Sequence, residues 1–113
     1  MKKIEAIVRP GKVASVCAVL EEIDYPGLTI TEVEGHGKQK GLEQQVRGKT
    51  YKVGLLTKAR IEIVVKDSDV DKVINAIRET AFTGKVGDGK IFVYPVENAV
   101  RIRTNERSEA ALV

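Results

Sequence analysis

Lys3-Ile-Glu-Ala-Ile-Val-Arg9 and Arg60-Ile-Glu-Ile-Val-Val-Lys66 are one pattern written twice, 57 positions apart. The offset carries on without a gap into the next segment, so that Val13, Val16, Cys17 and Leu20 match Val70, Val73, Ile74 and Ile77. In each copy the first segment alternates: Ile4, Ala6 and Val8, or Ile61, Ile63 and Val65, share one face. Period two is the mark of a half-buried strand. The second segment sets its apolar residues at i, i+3, i+4 and i+7, one stripe of a helix. Pro10 and Gly11 mark the boundary before the first helix. Asp67-Ser68-Asp69 precedes the second, with Ser68 and Asp71 expected as a capping pair.

After each helix the chain returns to strand-forming residues, at Leu28 to Glu34 and at Lys90 to Pro95. The order strand-helix-strand, twice over, predicts an α+β fold. It is the ferredoxin-like βαββαβ sandwich, an antiparallel sheet with both helices on one face and right-handed crossovers. A short strand is expected at Ala99 to Thr104, and Asn105 to Val113 reads as a flexible tail. A chain of 113 residues is expected to form a single domain, 1–113. One connection is out of proportion. From Gly35 to about Thr57 it carries glycines 35, 37, 41 and 48, lysines 38, 40, 49 and 52, Arg47 and Tyr51. Long connections in compact domains tend to be functional; a solvated insertion is the plainer alternative.

Composition narrows the class. Charged residues are 31%, hydrophobic residues 42% and aromatics 4%, with a net charge of +3, an ordinary globular balance. The mild positive excess suits a small anionic ligand without requiring nucleic acid. The lone Cys17 cannot pair within the chain, no apolar run approaches a membrane span, and the first residues lack a secretory pattern. A cytoplasmic protein is expected.

The chemistry concentrates at Thr83-Gly-Lys-Val-Gly-Asp-Gly-Lys-Ile-Phe-Val93. Glycines 84, 87 and 89 lie between a helix and a strand, where outward backbone N–H groups can form a concave nest for phosphate oxygens. Lys85 and Lys90 flank the turn, and Arg101 and Arg103 come after it at a spacing that places both guanidiniums on one side of a strand. A generic glycine-rich turn among solvated cations is the alternative. Catalysis finds little support. One His and one Cys form neither a metal cluster nor a nucleophile pair, and Cys17 falls on an apolar helical stripe. There is no Walker-type loop. Glu5 and Glu62 stand beside basic residues and read as charge-paired sheet positions. The aromatic platform that an RNA-binding sheet of this plan needs is missing from the first and third strands. A small nucleotide-hydrolysing enzyme stays as the rival, without a general base or orienting partner to support it.

Thr83-x-x-x-Gly87-Asp-Gly-Lys-Ile-Phe-Val93 with Arg101-Ile-Arg103 resembles the C-terminal signature of the P-II nitrogen-regulatory signal proteins. Lys2-Lys-Ile-Glu-Ala-Ile-Val8, Gly27-Leu-Thr29 and Gly35-His-Gly-Lys-Gln-Lys-Gly41 extend the likeness from residue 1 to about 110. The resemblance implies a homotrimer that binds ATP or ADP in its intersubunit clefts and is not an enzyme. Ile7, Gly27, Thr29, Glu62 and Val64 match the contacts to base and ribose. Gly87, Asp88, Gly89, Lys90, Arg101, Arg103 and Lys38 match those to the phosphates. It further implies 2-oxoglutarate uptake with Mg-ATP, with Gln39 at the metal, Lys58 as partner of the organic acid, and Gly37, Lys40 and Gly41 around it. A paralogue sensing another metabolite at this cleft is the remaining alternative, and Lys38, Gln39 and Lys58 do not depart toward it.

The connection at about 37–55 corresponds to the family's T-loop. The implied partners are an ammonium channel of the Amt type, hence a membrane only indirectly, or a nitrogen-assimilation enzyme. Arg47 matches the channel-contacting tip and Tyr51 a tyrosine that is uridylylated in some relatives. Here Val46-Arg-Gly-Lys-Thr-Tyr51 departs from the frequent Tyr-Arg-Gly-Ala-Glu-Tyr. Lys49 excludes the serine modification of one branch, and Gly54 and Thr57 replace an Asp and a Pro.

Overall fold

The computed structural model describes residues 1–35, 43–46, 49–52 and 56–112. Strand β1 (Lys2–Val8) leads through one 3-10 turn, Pro10–Lys12, into helix α1 (Val13–Glu22) and then strand β2 (Thr29–Gly35). Between the two halves, β3 (Glu43–Val46) and β4 (Lys49–Lys52) pair as a separate antiparallel ladder. The long connection is therefore not devoid of regular structure. Strand β5 (Leu56–Val65) then repeats the opening order, through Asp67–Asp69 into helix α2 (Val70–Ala81) and strand β6 (Lys90–Pro95).

The main sheet runs β2-β5-β1-β6 with every pairing antiparallel. Each helix connects two strands that have one other strand between them, which is the expected ferredoxin-like arrangement. Register makes the duplication visible: Ile4 faces Ile63, Ala6 faces Ile61 and Val8 faces Ala59. All six are buried under Val16 and Leu20 of α1 and Val73, Ile77 and Ala81 of α2, with Val65 and Tyr25 completing the core. The alternating and helical stripes of the sequence thus meet as one apolar layer. Cys17 is half-buried at its margin.

The helix starts are also repeated, by a device other than the capping pair expected of Ser68 and Asp71. Arg9 and Lys66 both hold an extended backbone, and their carbonyls accept from the N–H groups of Lys12 and Asp69 at 2.9 and 3.0 Å. No side chain caps either helix. The 3-10 turn takes up the first N–H groups, so a capping hydroxyl has no vacant role.

The strand expected at 99–104 does not form. Val100 and Arg107 make an isolated bridge, and the chain between them turns back, with Arg101 N–H donating to the Glu106 carbonyl at 2.9 Å and Asn105 N–H to the Arg101 carbonyl at 2.8 Å. Asn105 sits at φ +61°, a backbone that Asn tolerates in such turns. A 3-10 turn at Ser108–Ala111 comes next.

Candidate functional site

The connection from α2 to β6 is a self-organised turn. Glycines 84, 87 and 89 have φ of +85°, +104° and +98°, backbone that side chains other than glycine's rarely allow. At Gly89 a second reason applies: a Cβ there would lie 1.7 Å from the Ile7 carbonyl oxygen. Glycine at this position is required by the close packing of β6 onto β1.

The Asp88 carboxylate is the hub. It accepts from Thr83 N–H at 2.8 Å, Gly84 N–H at 2.9 Å, and the Thr83 hydroxyl. Arg9 adds its Nε at 3.2 Å. The Thr83 hydroxyl and backbone, then Gly84 and Arg9, hold this carboxylate well below the usual range. The nest read from the sequence therefore already holds an anion, its own aspartate.

Two cations tie this turn to the sheet. Arg9, at the end of β1, donates through Nη2 to the Val86 carbonyl at 2.9 Å while its Nε holds Asp88. Lys58, near the start of β5, donates to the Gly87 carbonyl at 2.8 Å. Its ammonium pKa is lowered, first by burial and then by the nearby Arg9 guanidinium, with Asp88 opposing. A half-buried ammonium in that position gains from an incoming carboxylate. Lys90 pairs in register with Ile7 on β1, so Ile7, Lys58, Gly87, Gly89 and Lys90 converge on one end of the sheet. A groove of about 280 Å³ opens beside them, lined among others by Ile7, Phe82, Asp88, Gly89 and Lys90.

The other predicted site residues lie apart. On the face of the sheet away from the helices, Glu62 stands opposite Thr29 and is paired with Arg60 at 2.9 Å and Lys3 at 3.5 Å. Lys3 also lies over the Tyr94 ring, at 4.7 Å. Val64 is two residues further along β5, and Gly27 is exposed just before β2. The expectation of Glu62 as a charge-paired sheet residue agrees with these contacts. Arg101 and Arg103 come after β6, which runs away from the glycine turn: Lys90 faces Ile7, Pro95 faces Lys2, and Val96 N–H donates to the Met1 carbonyl. The Arg101 guanidinium is held by Glu106 at 2.9 Å. Among the described residues, no hydrogen bond or ion pair joins either arginine to residues 83–90.

Gly37, Lys38, Gln39, Lys40, Gly41 and Arg47 lie outside the described residues. Tyr51 is in β4, opposite Gln44. Among the described residues no three His, Cys, Asp or Glu side chains gather as a metal site, and no helix is long and apolar enough to cross a membrane. Arg9 is absent from the sequence-derived site, and Thr83 stands in it only as the first residue of the glycine-turn signature, without a role. Signals for both exist: Arg9 ends the first repeated strand at the position Lys66 takes in the second, and Thr83 precedes Asp88 by five residues.

The chain is thus a ferredoxin-like α+β domain whose glycine-rich α2–β6 turn is tied to one end of the sheet by Arg9 and Lys58. The model of the family described as "Nitrogen regulatory protein P-II" matches residues 1–106. The chain belongs to that family, whose members are signal-transduction regulators and not enzymes. It is 54% identical over 112 residues to the nitrogen regulatory protein P-II of Pasteurella multocida, covering 99% of this chain and 100% of the relative. It is 50% identical, with the same coverage, to nitrogen regulatory protein P-II 1 of Escherichia coli K12. Among solved structures, Arabidopsis thaliana PII bound to citrate superposes with a TM-score of 0.80 at 41% identity, over 98% of this chain and 88% of that one.

Proposed function

We propose that this protein is a cytoplasmic homotrimer that senses ATP or ADP together with 2-oxoglutarate and switches a nitrogen-assimilation target. The observation that carries the reading is the separation of its cations. A nucleoside polyphosphate needs several cations at once. One chain puts Lys90 and the glycine turn at one end of β6, and sends Arg101 and Arg103 off from the other end. Lys90 and Pro95 are about 17 Å apart along an extended strand. A second copy presenting its Arg101–Arg103 turn to the Gly87–Lys90 turn completes the anion site, and a closed ring of three does so at every interface.

In that site Ile7, Gly27, Thr29, Glu62 and Val64 hold base and ribose. The backbone of Gly87, Asp88 and Gly89, with Lys90, Lys38, Arg101 and Arg103, holds the phosphates. The Asp88 side chain supports the turn from within, since its oxygens accept from Thr83, Gly84 and Arg9. Gln39 takes part in holding Mg on the phosphates. Lys58, with Gly37, Lys40 and Gly41, receives the dicarboxylate. The relative solved with citrate holds a polycarboxylate, in keeping with an organic-acid effector. Nucleotide and acid together set the 37–55 loop. Through Arg47 the loop engages a partner, an ammonium channel of the Amt type or a nitrogen-assimilation enzyme, and Tyr51 is available for modification.

Calorimetry tests the ligands: ATP binds alone, and 2-oxoglutarate binds only with Mg-ATP present. Acid uptake without nucleotide would count against the Gln39 assignment. A mixing experiment tests the composite site. Lys90→Glu and Arg103→Glu chains, each inactive in ATP binding alone, regain roughly one quarter of the sites when refolded together in a ring of three. No recovery would place both cations in a site within one chain.

A further inference from the structure

We propose that Arg9 is a positioning residue for the anion-binding turn. It fixes the turn to the sheet at two points and cancels the negative charge that Asp88 would otherwise turn toward a phosphate. The ligand half of this inference rests on the nucleotide reading above; the structural half does not.

Three glycines with positive φ within six residues make a segment with much conformational freedom to lose. Such a turn keeps one shape only when its surroundings over-determine it. The contacts of Asp88 with Thr83 and Gly84 close the turn on itself, and none of them reaches the sheet. Arg9 links the Asp88 hub itself to the sheet, beside the Lys58 bond to the Gly87 carbonyl. It occupies the last position of the first repeated segment, where its backbone carbonyl also starts the 3-10 turn into α1. Its planar fork reaches the Asp88 carboxylate through Nε and the Val86 carbonyl through Nη2, on either side of Gly87. A lysine offers a point charge and cannot span both acceptors in that geometry.

The electrostatic role comes from position. Asp88 lies between Gly87 and Gly89, the residues whose backbone is proposed to meet phosphate. An unpaired carboxylate there opposes a polyphosphate, and the opposition is felt most where solvent is limited. The Arg9 and Asp88 side chains are each only 24% exposed, so the pair is partly shielded from water. The Lys58 ammonium also feels the Asp88 charge and donates to the Gly87 carbonyl from another strand, while Arg9 bonds the Asp88 carboxylate directly.

The test uses the full chain with two substitutions, Arg9→Ala and Arg9→Lys. In the ligand-free protein, NMR-resolved amide exchange is measured at Thr83 and Gly84. Their N–H groups are bonded to Asp88, and core amides of β1 and β5 serve as the internal standard. Arg9→Ala should speed exchange at these two amides by roughly tenfold while the core amides stay unchanged. Arg9→Lys should fall between Ala and wild type. Mg-ATP affinity by calorimetry should weaken roughly tenfold in Arg9→Ala, with partial recovery in Arg9→Lys. Unchanged exchange at Thr83 and Gly84 overturns the clamp. Faster exchange with undiminished ATP affinity overturns its role in the anion site. A wild-type chain that takes up no ATP refutes the nucleotide reading instead, and the exchange measurement still decides the clamp. Should Arg9→Ala fail to fold, Arg9→Lys carries both measurements, since loss of one arm of the fork loosens the turn part of the way.

Discussion

Replacing Gly89 by alanine adds one methyl group, and the structure gives it nowhere to go. The new Cβ would stand 1.7 Å from the Ile7 carbonyl oxygen and 2.8 Å from its carbon, where ordinary contact begins near 3.4 Å. The obstacle is main chain, so no rotamer relieves it. Strand β6 must move off β1 at the pair Ile7–Lys90. The backbone at φ +98° adds its own penalty. Left-handed conformation costs about 1–2 kcal/mol, overpacking about 1–3 kcal/mol, and a strained ladder hydrogen bond about 1 kcal/mol. Their sum, about 4 kcal/mol, is a large part of a typical domain's 5–15 kcal/mol. Urea unfolding at one fixed protein concentration measures it. Gly84→Ala is the control: its Cβ meets only the far end of the Phe82 ring, at 3.4 Å, so the backbone term of about 1–2 kcal/mol stands alone. Gly27→Ala, with nothing within 4 Å, should change stability by no more than about 0.5 kcal/mol. If Gly89→Ala is no more damaging than Gly84→Ala, the close approach of β6 to β1 is not what selects glycine there.

Leu20→Ala should cost about 3–5 kcal/mol by the same unfolding assay, because the side chain is fully buried between α1 and the sheet. A loss below about 1.5 kcal/mol would mean that the helix closes over the gap. Tyr25 should give the protein an alkaline limit. Burial first, and then its hydrogen bond to the Asp69 carboxylate, raise the phenol from 10.0 to about 12. The neutral phenol is thus favoured in the folded chain; its contribution is complete below pH 10 and is lost as pH rises toward 12. Tyr25→Phe should flatten the fall in stability over that window, and an identical slope in both proteins would refute the assignment. Arg47→Glu should abolish capture of a channel-type partner while ATP affinity, measured by calorimetry, stays within about twofold. An equal loss of ATP affinity would make the loop around Arg47 structural rather than a contact arm.

The fold was legible because burial leaves a periodic trace. The repeated Ile-Glu-Ala/Ile-Ile/Val-Val pattern and the stripes led by Val13 and Val70 marked the main strands, both helices and most of the core. Local hydrogen bonding left no such trace. Ser68 was a reasonable capping residue, yet the 3-10 turn at Asp67–Asp69 takes up the N–H groups instead. Arg101-Ile-Arg103 alternates as a strand would, but no neighbouring strand among the described residues pairs with it, and Glu106 draws the chain into a turn. The Ile102 side chain, 99% exposed, shows how little one isolated chain uses that segment. At the site, composition identified the glycines and cations but could not assign direction. Whether the Thr83 and Gly84 N–H groups faced outward or toward Asp88 depended on atoms that one-dimensional spacing does not locate. Arg9 was missed for a related reason: a charge at a strand end is usually solvated, and only the return of a turn from residue 88 gives it a partner.

The duplication bears on how such a molecule can acquire an activity. Its halves are matched in strand, helix and helix start, so the domain has two equivalent corners where a helix hands over to a strand. At one corner residues 23–28 make the crossing; at the other, residues 82–89 do, a longer route with three left-handed glycines. The likeness between the halves ends at that corner. A doubled scaffold can keep one copy of a corner as plain joinery and let the other diverge. Transplanting 82–89 into the 23–28 position would ask whether the turn's shape is its own or borrowed from its surroundings.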